Sequence, residues 1–322
     1  MTRAPLILLP LALLLGCPGE PAGAQATGAS GATKVAIQCN WLPEPQFGGI
    51  YHAAQAGIFA KHGIEADVRK GGPDIPAVQM AAAGQVEFAL AAADEVIRIR
   101  EGGADVVAVF ATYQTAPQGL MTHGEREVAT LEELLQAEGT LAVQPGLAYV
   151  KYLEQTIGIK AKLVPYQGGL GQYMASRESL DFAQQCFVTS EPLAAEREGA
   201  PAKVFLIADS GFNPYTSVVI TRRDYLERHP ETVAAVVAAL QEGWRAYLDD
   251  PSAANAHMHT LNGSMDVETF SAAAEAQKPL IDTGAPLGSM TLARWEELQR
   301  QLVEVEAVEG SGKPSDCFVS SE

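Results

Sequence analysis

Cations are scarce in this sequence: 22 Lys and Arg stand against 39 Asp and Glu, a formal charge of −17. An acidic chain of this kind repels phosphate backbones, which excludes nucleic-acid binding through a basic face. Only four of the 322 residues are cysteine, too few for a disulfide scaffold, and without a C-x-x-C their spacings fit no zinc site. No apolar run reaches the ~18 residues that an ordinary membrane-spanning helix needs. H-E-x-x-H, G-x-S-x-G, the G-x-x-x-x-G-K phosphate loop and the dinucleotide fingerprint are all missing. His257 and His259 on a helix would point about 200° apart, so they are no metal pair. Neither a metal nor a cofactor is expected.

Apolar residues are plentiful at 47%, and a chain of 322 residues exceeds one compact core, so two lobes are expected. Arg3 precedes an apolar run from Leu6 to Leu15, interrupted by Pro10. As a helix it would cover roughly 15 Å, half a bilayer core, which suits an export signal and not a span. Leu13-Leu14-Leu15-Gly16-Cys17 resembles a bacterial lipobox, with Cys17 as the acylated residue and the membrane anchor. Plain cleavage after Ala22-Gly23-Ala24 is the alternative. Either way the mature protein works outside the cytoplasm, in the periplasm or on the outer face of the cell membrane. Residues 1–16 are thus read as signal and 17–33 as a Gly/Ala/Pro-rich tether. Cys39, Cys186 and Cys317 remain, an odd number. A Cys39–Cys317 pair is open, and buried free thiols are the expected state.

From Lys34 strand and helix signals alternate. Strands are predicted at Lys34–Gln38, Ile64–Arg69, Val86–Ala91 and Val106–Thr112, with helices at Gly48–His62, Ala77–Ala83 and Ala93–Glu101 between them. The pattern restarts near Gly119, with strands at Thr140–Val143, Ala161–Pro165, Phe182–Val188 and Val204–Ala208. Helices fill the gaps at Leu131–Ala137, capped by Thr130, at Leu147–Ile157 and at Gln172–Ser176. Beyond Asp209 the chain turns helical, with a helix entered at Pro230 and others at Ser252–Leu261, Val267–Leu280 and Leu292–Val303. Gly119–Thr122 and Ser217–Thr221 suit two connecting strands. The fold class is therefore α/β with two lobes, each a mostly parallel sheet flanked by helices. Residues 34–117 with 216–309 make the first lobe, 118–215 the second, and 310–322 a Gly/Ser-rich tail.

A cleft between such lobes is where a small molecule sits, beside the loops that follow the strands. The first of these loops carries Trp41, Glu44, Gln46 and Phe47, and Tyr51 begins the next helix. Its aromatics are also what a core would use, but their density among polar residues favours a ligand platform. Asp94 and Glu95 open a helix, where they either complement its dipole or meet the ligand. The second lobe offers Gln144, Tyr166, Gln185 and Glu191, and the connections offer Gln118, Asn213 and Tyr215. Trp41 and Tyr166 are assigned stacking, Glu44, Asp94 and Glu191 edge recognition, and Gln118, Gln144 and Asn213 amide hydrogen bonds. No arginine or lysine occurs in these loops. A flat ligand rich in N–H donors fits better than an anion, although amide donors alone could hold an anion. Asn262-Gly263-Ser264 matches a glycosylation acceptor at chance frequency.

Asn40-Trp41 with Pro43, the run Gly57-Ile58-Phe59-Ala60-Lys61-His62-Gly63-Ile64, and Val78-Gln79-Met80 followed by Gly84-Gln85-Val86-Glu87-Phe88 resemble solute-binding proteins of bacterial ABC importers. The similarity covers nearly all of Lys34–Val303. The branch is the one with nitrate, sulfonate and thiamine-pyrimidine-precursor binders. The resemblance implies a type II periplasmic binding protein fold, a small-molecule ligand, and a permease with its ATPase as partners. The Trp41 loop and Gln184-Gln185-Cys186-Phe187 look closest to the pyrimidine-precursor group, which implies capture and delivery of a planar heterocycle without catalysis. That group shares its fold with pyrimidine synthases of thiamine biosynthesis. Those enzymes carry a cysteine-rich, iron-associated stretch where this chain has Ala183-Gln184-Gln185-Cys186-Phe187-Val188, and only Cys186 and Phe187 match. An anion receptor and a synthase-like enzyme are the alternatives.

Overall fold

The computed structural model describes residues 31–319, so the export signal and Cys17 lie outside the described residues. In the first half β1 (Thr33–Gln38), α1 (Gly48–Gln55), α2 (Ile58–Lys61), β2 (Ile64–Arg69), α3 (Ala77–Ala82), β3 (Phe88–Ala91), α4 (Ala93–Glu101) and β4 (Val106–Tyr113) alternate as the pattern requires. There follow β5 (Gln118–His123), α5 (Leu131–Gln136), β6 (Thr140–Val143), α6 (Ala148–Thr156), β7 (Lys162–Pro165), α7 (Gly171–Ala175), β8 (Phe182–Phe187), α8 (Glu191–Arg197) and β9 (Ala202–Leu206). The last part holds β10 (Thr216–Arg222), α9 (Arg223–Arg228), α10 (Pro230–Asp249), α11 (Ser252–Leu261), α12 (Val267–Ile281) and α13 (Leu292–Glu304).

Two mixed five-stranded sheets result, ordered β2-β1-β3-β10-β4 and β7-β6-β8-β5-β9. In each, the strand that has just crossed from the other lobe, β10 or β5, runs antiparallel to both neighbours. The other four strands share one direction, because helical crossovers join them. The two lobes thus meet at two crossings, β4 to β5 and β9 to β10.

All eight residues of β4 are buried, as its unbroken apolar run demands. On one face of the first sheet α10 packs against α1 so closely that Trp244 covers Gly49 and Tyr247 covers Gly48. On the side of α13 a single apolar cluster joins Val106 and Ala108 of the first sheet to Leu141 and Leu153 of the second lobe through Trp295, Leu298 and Leu302.

Several expectations are corrected. The helix predicted over Gly48–His62 breaks at Gly57, whose φ of 69° is left-handed and ends one helix before the next begins. Two further short helices, α8 and α9, were not expected, and Pro192 stands in the first turn of α8, where a helix tolerates it. The segment expected as a Gly/Ser-rich tail from residue 310 is tied to the first sheet near its end. Ala108 donates to Cys317 O at 2.8 Å and accepts from Val319 N at 2.8 Å, which covers the edge of β4. Cys39, Cys186 and Cys317, by contrast, are free and buried as expected, and the open alternative of a Cys39–Cys317 bridge is not formed.

Candidate binding cleft

A cavity of about 260 Å³ opens between the lobes. The start of α4 brings Asp94, Glu95 and Arg98 to it. The crossing segments bring Gln118, Ile207, Phe212 and Pro214, and the second lobe closes it with Gln144, Tyr149, Gln185, Phe187 and Glu191. Six expected residues therefore meet in one place: Asp94, Glu95, Gln118, Gln144, Gln185 and Glu191.

Their partners divide them by role. Glu95 Oε2 accepts from Ala92 N at 2.8 Å and so caps its own helix. Asp94 pairs with Arg98 at 3.0 Å, one helical turn along. Glu191 accepts from Phe187 N at 2.8 Å and from the Tyr166 hydroxyl at 2.9 Å. Gln185 Oε1 accepts from Gln144 N at 2.6 Å, and both residues line the cavity. Gln118 Oε1 accepts from Thr216 Oγ1 at 3.2 Å and ties the two crossing strands together.

Burial pushes the Asp94, Glu95 and Glu191 carboxyls above their ordinary range. Arg98 opposes this at Asp94, and Phe187 N–H with the Tyr166 hydroxyl opposes it at Glu191. Carboxyls held in this way favour a guest that donates hydrogen bonds or carries positive charge, since it restores what desolvation removed.

Arg98 corrects the expectation of a cleft without cations. It was missed because it lies on a helix, a turn beyond the loop where function was sought. Its guanidinium is already engaged by Asp94. Tyr149 was missed for the same reason: it stands in the first turn of α6, with its hydroxyl 3.4 Å from Gln185 Oε1.

The remaining expected residues lie elsewhere. Glu44 and Gln46 line a narrow crevice of about 10 Å³ that shares Phe187 with the cavity and is completed by Thr189, Ser190, Met265 and Ala273. Burial, then the charge of Glu191, pushes Glu44 up to about 8, against a hydrogen bond from Trp41. Trp41 itself is 38% exposed and does not line the cavity, while its carbonyl accepts from Gly71 N at 3.0 Å. Tyr51 is core, packed against His257 with ring centroids 6.0 Å apart. Tyr166 acts through its hydroxyl on Glu191 and does not line the cavity. Asn213 and Tyr215 belong to the crossings. Asn213 Oδ1 accepts from Ala116 N at 2.8 Å, and Arg294 lies 3.7 Å over the Tyr215 ring while donating to Asn213 O and Gln114 O.

Two distant amides hold the first loop in place. Asn262 Nδ2 donates to Pro43 O at 3.1 Å and Gln277 Nε2 donates to Pro45 O at 2.9 Å. Asn262 is buried in this contact, which removes it as a glycosylation acceptor. Among the described residues no cluster of three or more His, Cys, Asp or Glu could hold a metal ion.

The formylaminopyrimidine-binding protein of Halalkalibacterium halodurans is 22% identical over 302 residues, 89% of each chain. The riboflavin-binding protein RibY of Chloroflexus aurantiacus is 26% identical over 236 residues, 69% of this chain and 64% of its own length. Both are named for binding and not for a reaction. The periplasmic aliphatic sulphonate binding protein SsuA of Escherichia coli superposes with a TM-score of 0.68 at 13% identity, covering 91% of this chain and 94% of that one. That likeness establishes the two-lobed periplasmic binding protein fold. Residues 44–254 match the family described as NMT1/THI5 like, and the chain belongs to it.

Proposed function

We propose that the protein is the solute-binding component of an ABC-type importer, capturing a small, flat, donor-rich nitrogen heterocycle of the aminopyrimidine class for a membrane permease. The observation that carries this is the cavity itself: three carboxyls raised by burial and three glutamine amides around aromatic faces, with one guanidinium already paired. At about 260 Å³ it falls below the ~300–1,000 Å³ of pockets for drug-sized ligands, so one ring suits it better than a tricyclic flavin. The relative named for formylaminopyrimidine supports the same class. Asp94 and Glu191 accept from the ring's amino edge, Gln118, Gln144 and Gln185 meet its acceptors, and Tyr149, Phe187 and Phe212 cover its faces. Glu44 and Gln46 line the adjoining crevice that shares Phe187 with the cavity. Ligand buries surface from both lobes, 34–117 with 216–309 and 118–215, and stabilises their closed arrangement by its differential affinity. No bond is made or broken.

Arg98 favours one competing reading, an anion such as a sulfonate drawn to the guanidinium. Titration calorimetry with a formylaminopyrimidine, riboflavin and an alkanesulfonate separates the three. The pyrimidine is expected to bind at least tenfold more tightly than either; a sulfonate preferred, with affinity lost in Arg98→Met, overturns the proposal. Location outside the cytoplasm and acylation of Cys17 are part of the same reading. Mass spectrometry of the membrane-extracted chain should find a diacylglyceryl group on Cys17, and a mature end after Ala24 would refute the anchor.

A further inference from the structure

Away from the crossings the lobes also touch where α8 meets α12. α8 belongs to the second lobe, packed on β8 and β9, whereas α12 packs on α10, α11 and β4 of the first. Arg197, the last residue of α8, reaches over the seam. Its Nη2 lies 3.0 Å from Asp266 Oδ1 and 3.4 Å from Glu268 Oε2, and its Nε donates to Asp266 Oδ2 at 3.2 Å. Asp266 is meanwhile anchored as the N-cap of α12, accepting from Thr269 N at 2.9 Å. The first residue of α8 is Glu191, whose carboxylate lines the cavity.

We infer that Arg197 is a positioning residue for ligand capture: it latches α8 to α12 and thereby holds the lobes together with Glu191 against the cavity. The two sides of the molecule differ in kind. Beside α13 one continuous apolar cluster spans both lobes, a contact that salt does not weaken. At the α8–α12 seam the named contacts are charges that are 41%, 50% and 69% exposed. Beside this seam runs the narrow crevice of Glu44, Phe187 and Met265. Exposed ion pairs are weak and screened by salt, so this contact can be made and released while the apolar side stays joined. One short helix then carries a ligand-facing carboxylate at its start and the latch at its end. An occupied cavity that draws Glu191 inward also brings Arg197 to its partners.

The role of Glu191 rests on the proposed binding function, but the latch is testable without ligand. Spin labels on Ala175→Cys of α7 and Ser271→Cys of α12, in the full chain carrying Cys17→Ser, report lobe separation. The three native thiols are buried and stay unlabelled. Arg197→Met, which keeps the length and removes the charge, is expected to shift the distance distribution outward, Arg197→Glu further, and Arg197→Lys least. Molar NaCl should shift the parent in the same direction and leave Arg197→Met unchanged. With a formylaminopyrimidine bound, Arg197→Met should raise its dissociation rate about fivefold. Distributions that coincide in all four chains and at both salt concentrations overturn the latch. If separation responds but the pyrimidine never binds, the ligand assignment fails and the latch stands.

Discussion

The hydroxyl of Tyr166 donates to Glu191 Oε1 at 2.9 Å, so an aromatic expected to stack on a ligand instead steadies a carboxylate that lines the cavity. The same bond opposes the rise that burial imposes on Glu191. Tyr166→Phe should therefore raise the Glu191 pKa further. Under the proposed function, affinity for a formylaminopyrimidine would fall about threefold to tenfold at neutral pH and recover at higher pH. Calorimetry across pH reads both effects. Equal loss at every pH would indicate that the ring, and not its hydroxyl, matters.

Glu44 makes the stability of the free protein pH-dependent. Its carboxyl, pushed up to about 8 by burial and by Glu191, holds a proton in the folded state that the unfolded chain has released above about 4.5. Folding is therefore linked to proton uptake, and this contribution is full below about 4.5 and lost as pH rises to about 8. Melting scans should show Tm declining over that window, and Glu44→Gln should flatten the decline.

The thiols should be inert. Burial pushes Cys39 up to about 12 and Cys317 up to about 11, and Cys186 also rises. A colorimetric thiol assay on the native chain carrying Cys17→Ser should count no reactive cysteine, rising to three in guanidinium. Reductant should leave the melting curve where it was.

Gly243 tests the α1–α10 contact. A Cβ there would lie 2.7 Å from Ala53 Cβ and collide with the carbonyl of Gly49. Gly243→Ala should cost about 1–3 kcal/mol by overpacking. Denaturant titration measures that loss, and ligand affinity at the remote cavity should be nearly unchanged.

Local pattern alone determined that this chain builds strand–helix units and crosses between lobes twice. The apolar run at Val106–Thr112, the Thr130 cap and the proline opening α10 are each contained within a few residues, and each appears where expected. Six of the candidate residues line one cavity: Asp94, Glu95, Gln144 and Glu191 follow β3, β6 and β8, whose ends open onto the crevice, while Gln118 starts β5 and Gln185 lies in β8. Tertiary structure alone decided the rest. Arg98 and Tyr149 reach the cavity by the phase of their helices, Tyr51 and Tyr215 turn into packed interior, and Asn262 and Gln277 hold a loop more than two hundred residues away. Which way a side chain faces, and which carbonyl it finds, depends on how elements pack, and no local window of sequence contains that information.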